Sequence, residues 1–170
     1  MGACAIAVYR PSEGLWAIRG LTRAHFGTWT DTLSDYPVPF DYDGDHTAEP
    51  GIFREMTGLW AFRGVTRFYY GKSGDQPVIG RFETGSVNPA IAVYRSGEWA
   101  VRNVTRFALG GPDYAPVMIA HGPVIPMLEP STLYTVFDPL AGLWIQKGLG
   151  RFFFGTAGDV PASGAEKIQR

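Results

Sequence analysis

The chain has little that would place it among disulfide-bonded, nucleic-acid-binding or membrane-spanning proteins. Its single cysteine, Cys4, excludes an internal disulfide, so cysteine usage indicates no redox compartment. The net charge is −1, with both signs spread along the chain, which argues against a nucleic acid bound by charge. No segment approaches the roughly 18 apolar residues of a membrane span. The N-terminus also lacks the basic and apolar regions of a signal peptide.

Catalytic motifs are equally scarce, and we expect no enzyme. The sequence contains no G-x-S-x-G, no P-loop and no H-E-x-x-H. His25, His46 and His121 fall at different positions relative to a recurring tryptophan segment, so we do not expect them to share a metal. Cys4 starts an apolar segment and is expected to be a small core residue. A glycan-acting enzyme would need Asp41 and Asp43 as an acid/base pair facing a cleft, and it is the most distant alternative.

Glycine, proline and aromatic residues are abundant instead. The chain has 22 Gly, 13 Pro and 14% aromatic residues, a composition typical of many short strands joined by tight turns. No stretch of 10–12 residues has apolar residues at the helical period, so the sequence predicts an all-β fold with minimal helix.

One thirteen-residue segment occurs four times and organises the chain. The copies are Leu15–Gly27, Leu59–Gly71, Glu98–Gly110 and Leu143–Gly155. Their tryptophans, at the second position, recur after 44, 39 and 45 residues, which is in the range of a four-stranded propeller blade. A short β-rich segment precedes each copy: Ala5–Arg10, Pro50–Glu55, Ala90–Arg95 and Leu133–Asp138. A further short strand follows an Asp-x-Pro-like corner after each copy, so each unit has four predicted strands.

These units predict one domain, residues 1–170, folded as a four-bladed β-propeller of four-stranded antiparallel blades. The blades are residues 37–75, 76–113, 114–159, and 160–170 joined with 1–36. Pairing of the N- and C-terminal strands is expected to close the ring, because it removes open sheet edges. Two alternatives stay open: half of an eight-bladed ring formed by two chains, or a piece of a longer array. The chain is accordingly expected to be a monomer or a homodimer.

The most distinctive motif is the segment D-Y-D-G-D-H-T-A-E, residues 41–49. Asp41, Asp43, Asp45 and Glu49 place carboxylates at its first, third, fifth and ninth positions, with a glycine that permits a sharp turn. Calcium takes six to eight such oxygens, so the segment is competent for one Ca²⁺. The alternative is a solvated Asp/Gly turn held by its own hydrogen bonds. The matching loops of the other three units lack this set of carboxylates; they are Arg81–Asn88, His121–Pro126 and Ser163–Glu166.

The second unit, in which D-Y-D-G-D precedes I-F-R-E-x-x-G-L-W-A-F-R-G-V-T-R-F-Y-Y-G, resembles the FG-GAP/VCBS-type repeats of integrin-like β-propellers. The resemblance extends more weakly over all four units. It implies a propeller fold, an extracellular role in adhesion or ligand binding, and calcium-binding loops. It also implies calcium ligands at Asp41, Asp43, Asp45, Thr47 through its backbone carbonyl, and Glu49. The chain departs from the family pattern at His46, where Gly is usual, at Glu49, where Asp is usual, and in having four units where seven are common.

The repeated tryptophans and basic residues have a structural and a functional interpretation. The four tryptophans are expected to pack between blades, and the alternative is a set of sugar-stacking platforms. The repeated basic residues either stack on aromatic rings or hydrogen-bond to carbonyls between blades, or they line a pocket for an anionic ligand. They are Arg19, Arg63, Arg102 and Lys147 at the fifth position of the repeat, and Arg23, Arg67, Arg106 and Arg151 at the ninth. The expected function is non-enzymatic binding of a carbohydrate or protein surface through propeller loops. The competing hypothesis is a structural or assembly module without a small-molecule ligand.

Overall fold

The structure, a computed structural model, describes residues 6–20, 22–30, 33–45, 47–80, 90–119 and 133–161. Over these ranges the chain forms sixteen short β-strands and one turn of 3-10 helix at Pro11–Glu13, with no α-helix. The all-β prediction is therefore confirmed. No helix in this part of the chain has the length and apolar character needed to cross a bilayer.

The chain divides into two compact units, Met1–Pro77 and Val78–Arg170. The first unit contains two sheets. Sheet 1 has the order β1-β2-β3, and sheet 2 has the order β4-β5-β6-β7-β8. The strands of sheet 1 are β1 (Ala7–Arg10), β2 (Leu15–Ile18) and β3 (Thr22–His25). Those of sheet 2 are β4 (Trp29–Thr30), β5 (Leu33–Pro37), β6 (Gly51–Arg54), β7 (Leu59–Phe62) and β8 (Thr66–Tyr69).

The second unit also contains two sheets, and the boundary between the units falls within β9. Sheet 3 has the order β12-β11-β10-β9, and sheet 4 has the order β13-β14-β15-β16. The strands of sheet 3 are β9 (Gln76–Gly80), β10 (Ala90–Arg95), β11 (Glu98–Val101) and β12 (Thr105–Ala108). Those of sheet 4 are β13 (Ala115–Ile119), β14 (Leu133–Asp138), β15 (Leu143–Gln146) and β16 (Gly150–Phe153).

Each thirteen-residue repeat forms an antiparallel hairpin, and glycines at its two ends bring the chain segments together. In sheet 2, Gly58 has φ +66°, and a Cβ there would overlap the carbonyl oxygen of Gly71. The Tyr70 N–H donates to the Gly58 carbonyl at 2.8 Å, which holds the two segments in contact. Gly14 in sheet 1 has the same left-handed conformation and the same close approach to Gly27. Only glycine fits both the backbone conformation and the space, which accounts for its recurrence.

The repeated tryptophan lies on one face of every sheet, which we call the aromatic face. A tyrosine or phenylalanine pairs with it across the strands, as in Tyr9↔Trp16 and Phe137↔Trp144, and the ring centroids of these two pairs are 4.9 Å apart. Side chains alternate along a strand, so the neighbouring β-branched residues lie on the opposite, aliphatic face. The equivalent residues of that face are Val8, Ile52, Val93 and Val136.

The predicted count of four strands per unit is found in sheets 3 and 4. Sheet 2 contains these four strands and also the two-residue strand β4, which the repeat pattern does not predict. Sheet 1 has three strands within the described residues. Its fourth strand was predicted after Pro161, and residues 162–170 and 1–5 lie outside the described ranges. The closed ring therefore stays a prediction.

Candidate metal centre

The acidic segment forms the connection between β5 and β6 in sheet 2. The ladder of this hairpin continues beyond the strands, because the Val38 N–H donates to the Gly51 carbonyl at 2.8 Å. A bridge between Phe40 and Glu49 then closes the loop, with N···O distances of 3.3 Å and 3.0 Å in the two directions. The five predicted ligand residues therefore lie on one loop with a defined base.

Tyr42 fastens this loop to the aromatic face of sheet 2. Its ring stacks on Phe62, with centroids 4.3 Å apart and planes 18° apart, and it lies 6.0 Å from the Phe68 ring. Its backbone N–H donates to Glu49 Oε2 at 2.9 Å. This tyrosine was not among the predicted site residues. An aromatic residue between two aspartates was the available signal, since an exposed loop has no other need for a large apolar ring.

Four of the predicted ligands come together in space. One carboxylate oxygen from each of Asp41, Asp43, Asp45 and Glu49 lies within 4.8 Å of the others. Two oxygens that bind one Ca²⁺ at about 2.4 Å can be at most about 4.8 Å apart, so this spread is compatible with a shared calcium ion. Asp43 and Asp45 are exposed and Asp41 is half-buried, so an ion can reach the cluster from solvent.

The same carboxylates also accept backbone hydrogen bonds within the loop. Asp41 Oδ1 accepts from the Gly44 N–H at 2.8 Å, Asp43 Oδ1 from the Asp45 N–H at 3.1 Å, and Asp45 Oδ1 from the Thr47 N–H at 2.7 Å. These are the bonds expected of the solvated Asp/Gly turn, the alternative to a calcium site. Both interpretations fit this arrangement, because a carboxylate oxygen has two lone pairs and each carboxylate has two oxygens. The predicted role of the Thr47 carbonyl stays a prediction.

Burial and the neighbouring aspartates disfavour the charged form of Glu49. Burial raises the pKa of its carboxyl group, the Tyr42 N–H lowers it, and the charges of Asp43, Asp45 and Asp41 raise it further. The net shift of the pKa is upward, so the cation-free loop disfavours the charged form of Glu49. A bound cation would reverse this effect, since an adjacent positive charge favours the carboxylate.

A second polar network lies where sheet 1 leads into sheet 2. Asp35, fully buried in β5, accepts two hydrogen bonds from the Arg54 guanidinium at 2.7 and 2.9 Å. Its Oδ2 also accepts from the Thr28 N–H at 2.7 Å. Burial and the Asp35 charge raise the pKa of Tyr9, which the Arg54 charge lowers in part. Asp35 thus accepts three hydrogen bonds from neighbouring structural groups, so we assign the network to packing.

The tryptophans are structural in three of the four sheets. Trp16, Trp60 and Trp99 are almost fully buried, so they are closed to stacking by a sugar. In three repeats the indole N–H donates to the carbonyl ten residues later, at 2.8–2.9 Å; the pairs are Trp16–Phe26, Trp60–Tyr70 and Trp144–Phe154. Trp99 is the exception, since its indole N–H has no partner within the described residues.

Among the repeated basic residues, Lys147 contacts aromatic rings in the way that the structural interpretation predicted. Its Nζ lies 3.5 Å from the Phe107 ring centroid and 5.4 Å from that of Tyr134. His25 has a local structural contact, because its Nδ1 lies 3.1 Å from the Glu13 carbonyl oxygen. Cys4, His46, His121 and the three loops that match the acidic segment lie outside the described residues.

Searches of family models, curated proteins and solved structures return no match to the chain. The resemblance to FG-GAP/VCBS repeats therefore stays an expectation carried by the residues themselves.

Proposed function

We propose that the chain is a β-propeller module that binds a carbohydrate or protein surface through its loops, and that Ca²⁺ stabilises the loop at residues 41–49. The observation that supports the calcium site is the convergence of four carboxylate oxygens within 4.8 Å on a closed loop. The proposed ligands are Asp41, Asp43, Asp45, Thr47 through its carbonyl, and Glu49.

Two features favour ligand contact through loops. Three of the four repeated tryptophans are buried, so the most common sugar-stacking residue is not offered by their sheets. The acidic loop is exposed at Asp43 and Asp45, while Tyr42 fixes its base on the sheet. A rigid base with an exposed tip is the usual arrangement of a recognition loop on a stable scaffold.

The calcium site is tested by thermal unfolding of the full chain in excess Ca²⁺ and in excess chelator. A ligand that binds only the native state stabilises it by about 2.7 kcal/mol when its concentration is 100 times Kd. We expect a higher midpoint in Ca²⁺, and we expect Asp43→Asn to abolish most of the difference. Glu13→Gln, which removes an exposed carboxylate outside the loop, should leave the difference intact. An unchanged wild-type midpoint would refute the calcium site.

Ligand binding is tested with a glycan array probed in Ca²⁺ and in chelator. Calcium-dependent binding to one class of glycan would support the proposal. Absence of binding to every glycan and to a panel of extracellular matrix proteins would favour the second candidate, a structural or assembly module. One observation favours that candidate: Val8 on the aliphatic face of sheet 1 is 63% exposed, as expected of a surface that another module covers.

A further inference from the structure

Two identical hexapeptides in this chain have opposite exposures. The sequence A-I-A-V-Y-R occurs at residues 5–10 and again at residues 90–95. In the second copy, Ile91 and Val93 are 2% and 6% exposed. In the first copy, the equivalent Ile6 and Val8 are 66% and 63% exposed. The same apolar side chains thus form a buried face in sheet 3 and a face without cover, within the described residues, in sheet 1.

The exposed face is a shallow depression on sheet 1 with a volume of about 320 Å³. The residues that line it include the apolar Ile6, Val8 and Ala17 and the basic Arg19 and Arg23. The residues equivalent to Val8 in the other sheets are Ile52, Val93 and Val136, and all three are buried. Sheet 1 is therefore the exception among the four sheets.

The second unit shows what covers such a face. The aliphatic face of sheet 4 packs on the aromatic face of sheet 3, because Val136 joins the buried cluster that contains Tyr94 and Trp99. Tyr134 meets Phe107 edge to face, with centroids 4.6 Å apart. Lys147 completes the contact by placing its Nζ over the Phe107 ring.

The complementary surface is exposed on sheet 4. On the aromatic face of this sheet, Trp144 is only half-buried, and Phe152, which stacks on it at 6.2 Å, is 45% exposed. By position in the repeat, Phe152 is the equivalent of Phe107, and Arg19 is the equivalent of Lys147. Each chain thus presents both halves of the contact that joins sheets 3 and 4.

We propose that a second copy of this chain covers the aliphatic face of sheet 1 with the aromatic face of its sheet 4. The contact repeats the geometry between sheets 3 and 4. Val8 of one copy lies against Trp144 of the other copy, and Arg19 lies over the Phe152 ring of that copy. A head-to-tail contact of this kind closes when two chains use both surfaces at once, which gives a two-fold ring with two equivalent interfaces. The proposal holds whether or not the acidic loop binds calcium.

The first measurement is the mass of the wild-type chain by sedimentation equilibrium at micromolar concentration. A mass of two chains is expected. A mass of one chain would overturn the proposal, because it would leave the chain's own segments as the cover of Val8. Assemblies larger than two chains would overturn the closed two-chain ring.

The second measurement uses one variant of each surface, Val8→Asp and Phe152→Asp. An unpaired carboxylate is costly at an apolar interface, so each substitution should weaken dimerisation by roughly tenfold or more. Val104→Asp, at an apolar but partly exposed hairpin position, should leave the dimer intact. Circular dichroism tests whether each variant is folded. If a variant is not folded, the wild-type mass still decides whether the chain dimerises.

Mixing the two variants distinguishes a head-to-tail contact from a symmetric contact in which both chains use the same face. A mixed head-to-tail dimer contains one interface in which both faces are wild type, so the mixture should dimerise more tightly than either variant alone. No gain on mixing would overturn the head-to-tail arrangement. Arg19→Lys should dimerise like the wild type, whereas Arg19→Ala should dimerise more weakly, because a cation over an aromatic ring is attractive.

Discussion

Replacing Asp35 with alanine should destabilise the chain more than any change at its surface charges. Asp35 is 0% exposed and the Arg54 side chain is 24% exposed, and two hydrogen bonds of 2.7 and 2.9 Å join them. The substitution would leave the guanidinium and the Thr28 N–H without their acceptor. Breaking a buried pair in this way costs about 3–5 kcal/mol, and the partial exposure of Arg54 places the expected loss near the lower limit, about 3 kcal/mol.

Urea unfolding followed by circular dichroism measures this loss directly. For a chain of this size, about 3 kcal/mol corresponds to a fall of roughly 6–12 °C in the thermal midpoint. The matched control is Glu13→Ala, which breaks an ion pair of 2.9 Å whose side chains are 59% and 48% exposed. That pair should contribute no more than about 1 kcal/mol. Equal losses in the two variants would refute the assignment of Asp35 to a buried structural network.

A double substitution tests whether the pairing of Asp35 with Arg54, and not either residue alone, determines the loss of stability. Asp35→Ala combined with Arg54→Leu removes both charges, so no guanidinium is left without its acceptor. The double variant should therefore be more stable than Asp35→Ala alone, even though it carries one more substitution. If the two losses simply add, the ion pair is not what makes Asp35 important.

Two further predictions concern the repeat and the acidic loop. Trp60→Phe removes a hydrogen bond to the Tyr70 carbonyl, whereas Trp99→Phe removes an indole N–H that has no partner in the described residues. In urea unfolding, Trp60→Phe should therefore cost about 1 kcal/mol more than Trp99→Phe, and equal costs would contradict the structural role of the bond. The pKa of Glu49 is raised in the folded chain, so its ionisation opposes folding, and this destabilisation appears as pH rises from the unfolded pKa through the folded one. In chelator, the stability of Glu49→Gln relative to the wild type should increase as the pH rises above about 4, the usual pKa of a glutamate in an unfolded chain, and a difference that does not change with pH would be the contrary result.

Much of the local fold could be predicted from the sequence. The repeated tryptophan segment forms a hairpin in every sheet, because its glycines permit the turns and its alternating residues separate the two faces. The strand at Ala90–Arg95 was predicted with the observed bounds, and the one predicted at Ala5–Arg10 begins two residues later in the described structure. Local pattern is sufficient here, because each of these strands pairs with its neighbour in the chain.

The candidate site was predictable in part. The spacing of Asp41, Asp43 and Asp45 predicted that their carboxylates meet, and the structure brings them together with Glu49. The spacing could not reveal that Tyr42 anchors the loop by stacking on Phe62, because that contact joins a loop to a strand far along the chain. The bond between Asp35 and Arg54, which face each other across β5 and β6, was also not predicted, because the sequence does not show which residues of two strands are paired.

Burial is the property that the sequence could not supply. The two copies of A-I-A-V-Y-R have the same local pattern. The isoleucine and valine side chains are almost fully buried in the copy at residues 90–95 and mostly exposed in the copy at residues 5–10. Exposure depends on long-range neighbours that the hexapeptide itself does not contain. A prediction made from one hexapeptide at a time would therefore assign both to the core.

The neighbour-to-neighbour order of the strands has a consequence for how this chain unfolds. Each sheet forms from segments that are close in sequence, so closing it costs little loop entropy, and one sheet can open while another stays intact. The free energy of such a local opening depends on the contacts that the sheet loses. Sheet 1, with its uncovered Val8, has fewer contacts to lose than sheet 3, where Val93 is buried. In a chain kept monomeric, for example by Phe152→Asp, amide hydrogens should consequently exchange faster with solvent deuterium in β1 than in β10, although the two strands share the residues A-V-Y-R.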